Sequence, residues 1–219
     1  MKKKLMLYLL CMLTFSACNS SGKNGKEETL YSGEIRIAVD ESFKPIMEEE
    51  LQVYQALTPE ASITPVYCSE VEAVNLLLKD SVRLAITNRR LTEKELISFH
   101  TRKFFPESIQ MASSGIALIT HHCNPDSLIT VEDFRRIATG EITEWKELNP
   151  KSRLGRMQVV FDNPNSGTVH YVIDSICQGK PLSSSLKARK SNEEVIDYVA
   201  ATPDAIGIIG ANWIGNKAD

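Results

Sequence analysis

The sequence has no apolar stretch long enough to cross a bilayer. Its most hydrophobic run, Leu5 to Phe15, falls well short of the roughly 20 residues that a spanning helix needs. It also lacks a cysteine pattern. Of five cysteines, Cys11 and Cys18 sit near the N-terminus, and Cys68, Cys123 and Cys177 stand far apart with no CxxC and no Cys/His ligand spacing. Neither a disulfide framework nor structural zinc is expected from such an arrangement. His121-His122-Cys123 is a local cluster, but sequence neighbours rarely face one ion together, so no metal is expected there and no cofactor elsewhere. Basic charge is short as well. Without Lys2, Lys3 and Lys4, 22 basic side chains face 28 acidic ones, about −6 overall. A nucleic-acid partner is excluded on that count, since phosphate-backbone binding needs a basic face. An anionic ligand would have to be held by local dipoles and hydrogen bonds rather than by the overall field. No internal repeat is present.

What is present begins with an address. Three lysines, a short apolar region and the small residues Ser16 and Ala17 before Cys18 fit a secretory signal, and Leu13-Thr14-Phe15-Ser16-Ala17-Cys18 resembles a bacterial lipobox. Residues 1–17 are therefore expected to be a signal peptide and Cys18 the lipidation site. The bland alternative is a plain signal cleaved nearby. From Asn19 to Thr29 no residue is apolar, a composition that cannot bury enough surface to order itself, so residues 18–32 are expected to be a lipid-anchored tether. The mature protein would then be an exported lipoprotein facing the periplasm or cell exterior.

About 190 residues follow, enough for one large or two small domains. Glu34–Val39 alternates as a strand, and Pro45 opens a helix with Met47, Leu51, Tyr54 and Leu57 on one face. Ile63–Tyr67 is a second strand. Ser69 and Glu72 then start a helix whose stripe is Val71, Val74, Leu77 and Leu78, in the manner of a capping box. Arg83–Thr87 is a third strand, and Thr92-Glu93-Lys94-Glu95 opens a helix to Phe99. This alternation predicts a parallel sheet with helices on its faces. Beyond Glu107 the pattern predicts strands at Ile109–Met111, Gly115–Thr120, Met157–Phe161 and Ala205–Ile209, and helices at Val131–Thr139, Ser166–Cys177 and Val195–Thr202. The fold expected is α/β with two lobes, residues 33–110 and 111–211, and residues 212–219 starting a return to the first.

Three strand-to-helix turns carry hydroxyls: Asp40-Glu41-Ser42-Phe43, Tyr67-Cys68-Ser69 and Asn163-Pro164-Asn165-Ser166-Gly167-Thr168. Helix N-termini at such turns offer unpaired N–H groups and partial positive charge, which suits an oxyanion. Each could equally be an ordinary cap. Gly167 allows close backbone approach between two hydroxyls, where a cap needs only one.

Asn165-Ser166-Gly167-Thr168 resembles the SGT anion loop of the phosphate-binding components of ABC importers. Ser114-Gly115-Ile116-Ala117-Leu118-Ile119 is similar to their DGIAVI strand, Ile137 to Trp145 to their IFTGKITNW segment, and Ala205 to Gly210 to their AIGYIG strand. The resemblance implies a type II periplasmic-binding-protein-like fold, shortened at the C-terminus, and a monomer that hands phosphate or a similar oxyanion to an ABC permease. It also implies an anion-binding set of Ser42, Phe43, Ser69, Asn88, Arg89, Ser166, Gly167 and Thr168. The chain departs from the pattern at Asp162, where relatives carry arginine, at Asn88, where some carry a carboxylate, and at Ser114. Asp162 is expected either to face the ligand and favour protonated oxyanions, with Arg89 compensating from the opposite lobe, or to point to solvent or cap the Asn163-Pro164 turn. Two rival functions remain open: a lipoprotein that senses or scaffolds without transport, and a hydrolase built on Ser166, His170 and Asp162.

Overall fold

The computed structural model describes residue 29 and residues 31–126 and 128–215; the expected signal peptide and Cys18 lie outside the described residues. The first half of the chain builds a parallel sheet in which β1 (Gly33–Asp40) lies between β2 (Ala61–Cys68) and β3 (Leu84–Ile86). Central parallel strands are covered on both faces, and β1 accordingly ends in four consecutive buried residues, Ile37 to Asp40. Because all three strands run the same way, the turns after Asp40, Cys68 and Ile86 open on one edge of the sheet.

The helices follow local signals. Helix α1 (Lys44–Leu57) has Pro45 in its first turn, where a missing N–H leaves nothing unpaired. Met47 and Leu51 are half-buried, but Tyr54 and Leu57 are exposed, so only the first half of the expected stripe packs. Helix α2 (Glu70–Leu78) is capped by the Ser69 hydroxyl, which accepts from Glu72 N. Its most deeply buried positions are Glu70, Ala73 and Val74, so a carboxylate takes a place on the core face. Helix α3 (Glu93–Thr101) carries the complete Thr92–Glu95 capping box.

The strand expected at Ile109–Met111 does not form, and both residues are exposed. Apolar alternation specifies a strand only where a neighbour can complete the ladder, and none lies alongside. A mixed sheet follows, ordered β4 (Ile116–Thr120), β7 (Ala205–Gly210), β5 (Gln158–Phe161), β6 (Lys187–Ala188), with β7 antiparallel to β4 and parallel to β5. All six residues of β7 are buried. Phe134, Ile137, Trp145, Phe161, Ile206 and Ile208 belong to the main core, and Trp145 also donates its indole N–H to Asp204 O at 3.1 Å.

Helix α4 (Val131–Thr139) has the boundaries expected, set by a Thr130–Asp133 capping box and by Gly140 at φ +83°, the left-handed conformation that glycine adopts freely. Short α5 (Trp145–Leu148) was not expected. Helix α6 (Gly167–Tyr171) passes into a π-helical turn, Val172–Ile176, where one continuous α-helix was expected. Helix α7 (Asn192–Ala201) begins three residues before the expected start at Val195 because Ser191 supplies the cap.

The middle of β7 is packed tightly enough to test. A Cβ on Gly207 would stand 2.8 Å from atoms of Ile119, Val195 and Val199, all β-branched and stiff. Gly207→Ala is expected to destabilise the protein by about 1–3 kcal/mol, read as a lower denaturation midpoint. An unchanged midpoint would mean that α7 and β4 do not clamp this strand.

Candidate functional site

The edge opened by the first sheet meets the start of α6, and one carboxylate stands at the junction. Asp40 is fully buried. Its Oδ1 accepts from Ser42 N and Ser42 Oγ, both at 3.0 Å. Its Oδ2 accepts from Asn88 Nδ2 at 3.1 Å and, from the other half of the chain, from Gly167 N at 3.2 Å. Asn88 also donates to Ser42 Oγ at 3.1 Å. Only glycine fits at 167, since a Cβ there would lie 2.7 Å from the Cβ and Cγ of Asn88.

Two further seams join the halves. Asn192, at the start of α7 and fully buried, donates from Nδ2 to Glu41 at 2.6 Å and to Asp162 Oδ2 at 3.2 Å, while its Oδ1 accepts from Gly210 N at 3.0 Å. Glu70, also fully buried, accepts from Asn88 N at 3.2 Å and Arg89 Nε at 3.1 Å, and its Oε1 lies 2.9 Å from His170 Nδ1.

The expected site residues fall into two groups. Ser42, Asn88 and Gly167 meet on Asp40, Ser166 and Asp162 pair beside them, Asp162 also accepting from Asn192, and Thr168 is buried with no side-chain partner among the described residues. Ser69 serves as the α2 cap, and Phe43 is the half-buried residue from which α1 starts. Arg89 is directed elsewhere: besides Glu70 it grips Glu95 through Nη1 and Nη2 at 2.8 and 2.9 Å. It therefore does not supply the charge expected opposite Asp162. Asp162 neither faces solvent nor caps its turn, because Asn163 closes that turn itself by accepting from Asn165 N at 2.9 Å. Instead Asp162 is buried and accepts from Ser166 Oγ at 2.6 Å. The hydrolase trio does not assemble, since Ser166 gives its hydrogen to Asp162 and His170 turns to Glu70. His121, His122 and Cys123 do come together, with ligand atoms within 4.8 Å of one another. His121 Nδ1, however, already accepts from Cys123 N, and His122 and Cys123 are exposed.

Sequence reasoning missed Asp40, Glu41, Glu70 and Asn192. A signal existed for the acids, because a carboxylate ends or follows the strand at Asp40-Glu41, at Glu70 and at Asp162. Crowding Asp40, Glu41 and Asp162 in a dry place disfavours their charged forms. Burial pushes Asp162 up to about 7, Glu41 and Asp40 adding to the rise while hydrogen bonds from Ser166 and Asn192 oppose it. Burial likewise raises Asp40 and Glu41. Glu95 goes the other way, held down to about 2 chiefly by the hydrogen bonds of Arg89.

The profile of the PBP superfamily domain matches residues 24–219. Among characterised proteins, the phosphate-binding protein PstS of Borreliella burgdorferi is 25% identical over 226 aligned positions, covering 99% of this chain and 75% of its own length. The phosphate-binding protein PstS of Bacillus subtilis is 25% identical, covering 97% and 72%. Among solved structures, a Clostridium perfringens protein with bound phosphate, provisionally assigned as a phosphate ABC transporter substrate-binding protein, superposes with a TM-score of 0.73. It is 23% identical and covers 84% of this chain and 72% of that one. At that identity the superposition establishes the fold.

The crowded acids give stability a definite pH sign. Asp162 holds a proton in the folded state up to about pH 7, whereas an unfolded aspartate loses it near 4. The unfolded chain thus binds fewer protons across that window, and stability falls as pH rises from about 4 to about 7. Asp162→Asn is expected to shrink the difference in denaturation midpoint between pH 5 and pH 8, without abolishing it, because Asp40 and Glu41 contribute with the same sign. An undiminished difference would place the effect on other groups.

Proposed function

We propose, because the chain belongs to the PBP superfamily, that it is an extracytoplasmic substrate-binding protein that captures phosphate or a closely similar oxyanion for an ABC importer. The observation that carries this reading is the convergence of N–H and O–H donors from both halves, Ser42, Asn88 and Gly167, on one anionic group. Donors that hold a carboxylate in a dry site are equally suited to the oxygens of an oxyanion. The relatives named above as phosphate-binding supply the ligand class.

In this reading residues 33–110 and 111–211 act as two lobes that close on the ligand. Ser42, Asn88, Gly167 and Thr168 donate to it, and the backbone at Phe43 and the α2 start at Ser69 line the same edge. Ser166 and Asp162 lie behind the donors, the first fixing the helix start and the second setting the charge that a ligand meets. Arg89 acts indirectly, by neutralising Glu70 and Glu95. Cys18 carries the lipid that tethers the monomer beside its permease.

Titration calorimetry of the chain from residue 30 onward with phosphate, arsenate, sulfate and molybdate tests the reading; if none binds, it is lost. Within it, Thr168→Val keeps the shape and removes a buried residue's hydroxyl that has no side-chain partner among the described residues. Since a charge-assisted hydrogen bond contributes about 1.5–3 kcal/mol, phosphate affinity should fall by about tenfold to a hundredfold. Unchanged affinity would remove Thr168 from the ligand set. For the anchor, Cys18→Ser should move the protein out of the membrane fraction, provided the product has the size of the processed chain. A mature wild-type N-terminus elsewhere than Cys18 would refute it.

A further inference from the structure

Resting on the oxyanion reading, we infer that the Asp40 carboxylate is a built-in competitor for the ligand and the latch that holds the two halves together. Its two oxygens take the donors of Ser42 N, Ser42 Oγ, Asn88 Nδ2 and Gly167 N, which uses the acceptor capacity of a carboxylate fully. These are the donors that the proposed ligand needs. Asn88 lies so close to the backbone of Gly167 that even one added carbon would clash, so a tetrahedral group cannot sit between them while the halves are joined in this way. Access for an oxyanion therefore requires Asp40 to release Gly167 and Asn88, and the Glu41–Asn192 and Glu70–His170 contacts to yield as the halves part.

Charge sharpens the competition. A second anion placed on these donors would face Asp40 across a few ångströms, where Asp40 already adds to the rise of both Glu41 and Asp162. The latched form binds no ligand, so the apparent affinity is the intrinsic one reduced by the fraction of molecules in which Asp40 has let go. Asp40 thus sets a threshold: it keeps the donors satisfied and the cleft shut until the anion concentration is high enough to displace it. The turn would close without this side chain, because strand register fixes Asp40 against Cys68 and its backbone, at φ −55° and ψ 127°, is available to any residue.

The experiment compares wild type with Asp40→Ala and with Asp40→Ser, the second offering a small hydroxyl to the orphaned donors should the alanine variant not fold. Inorganic phosphate is titrated calorimetrically, and small-angle scattering is recorded with and without it. The expected result is phosphate binding at least about tenfold tighter in the variant than in wild type, the scale of removing a competing charged hydrogen-bond partner. The ligand-free variant should also show a larger radius of gyration, returning to the wild-type value on adding phosphate. Binding no tighter than wild type, with an unchanged radius, overturns the latch. If phosphate, arsenate and sulfate bind neither protein, it is the oxyanion reading that fails, and the latch then stands or falls on whether the ligand-free variant expands.

Discussion

A buried carboxylate must find donors or lose its charge, and three of them, Asp40, Glu70 and Asp162, crowd the junction between the two sheets together with the half-buried Glu41. Asp40, Glu41 and Glu70 each take a partner from across the junction, while Asp162 is met within its own half by Ser166 and Asn192. Asp40 reaches Gly167, 127 residues away; Glu41 reaches Asn192, 151 residues away; Glu70 reaches His170, 100 residues away. The relative placement of the halves is thus set by polar partners at defined distances, and the apolar cores stay within each half. Such a junction is specific in direction but modest in net strength, because each hydrogen bond formed replaces one to water. Such a bond would suit the two lobes proposed above to part and close on a ligand.

The same constraint accounts for residues that carry no chemistry of their own. Gly167 is glycine because Asn88 has to come close enough to reach both Asp40 and Ser42. Asn192 is asparagine because it must give to two carboxylates and accept from Gly210 N at once, and an amide has one donor group with two hydrogens and one acceptor to do so. Arg89 gives the junction only its Nε, to Glu70, because Glu95 holds its other two nitrogens with paired hydrogen bonds that match the guanidinium fork.

Much of the fold was legible in the sequence because it is determined locally. The Thr92–Glu95 and Thr130–Asp133 boxes, Pro45 and Gly140 mark helix ends through contacts within four residues, and β1 and β7 follow from the alternation of Glu34–Val39 and the apolar stretch Ala205–Ile209. Ile109–Met111 failed for the opposite reason: a strand depends on a neighbour that the local pattern cannot supply. In the site, Ser42, Asn88, Ser166 and Gly167 were reachable through motif resemblance, but their partners were not. That Asn192 serves Asp162 and Glu41 is a tertiary fact with no local signature, and the role expected of Arg89 failed because Glu95, six residues on, was read only as a capping residue.

A motif records which donors a chain offers, and affinity depends on what those donors do when the ligand is away. Ser42, Asn88 and Gly167 are arranged as an anion site requires, yet each already serves a carboxylate of the chain itself. A binding protein whose donors were left to water would exchange water for ligand; under the proposed latch the exchange is carboxylate for ligand, and the difference between two charged hydrogen-bond networks is smaller than either. The loop that identifies the family can therefore be kept intact while neighbouring acids, Asp40 in contact and Asp162 behind, move the working range. In a chain of net negative charge this is a consistent arrangement: the field does not draw anions in, so selectivity has to arise where donors, carboxylates and ligand compete within a few ångströms.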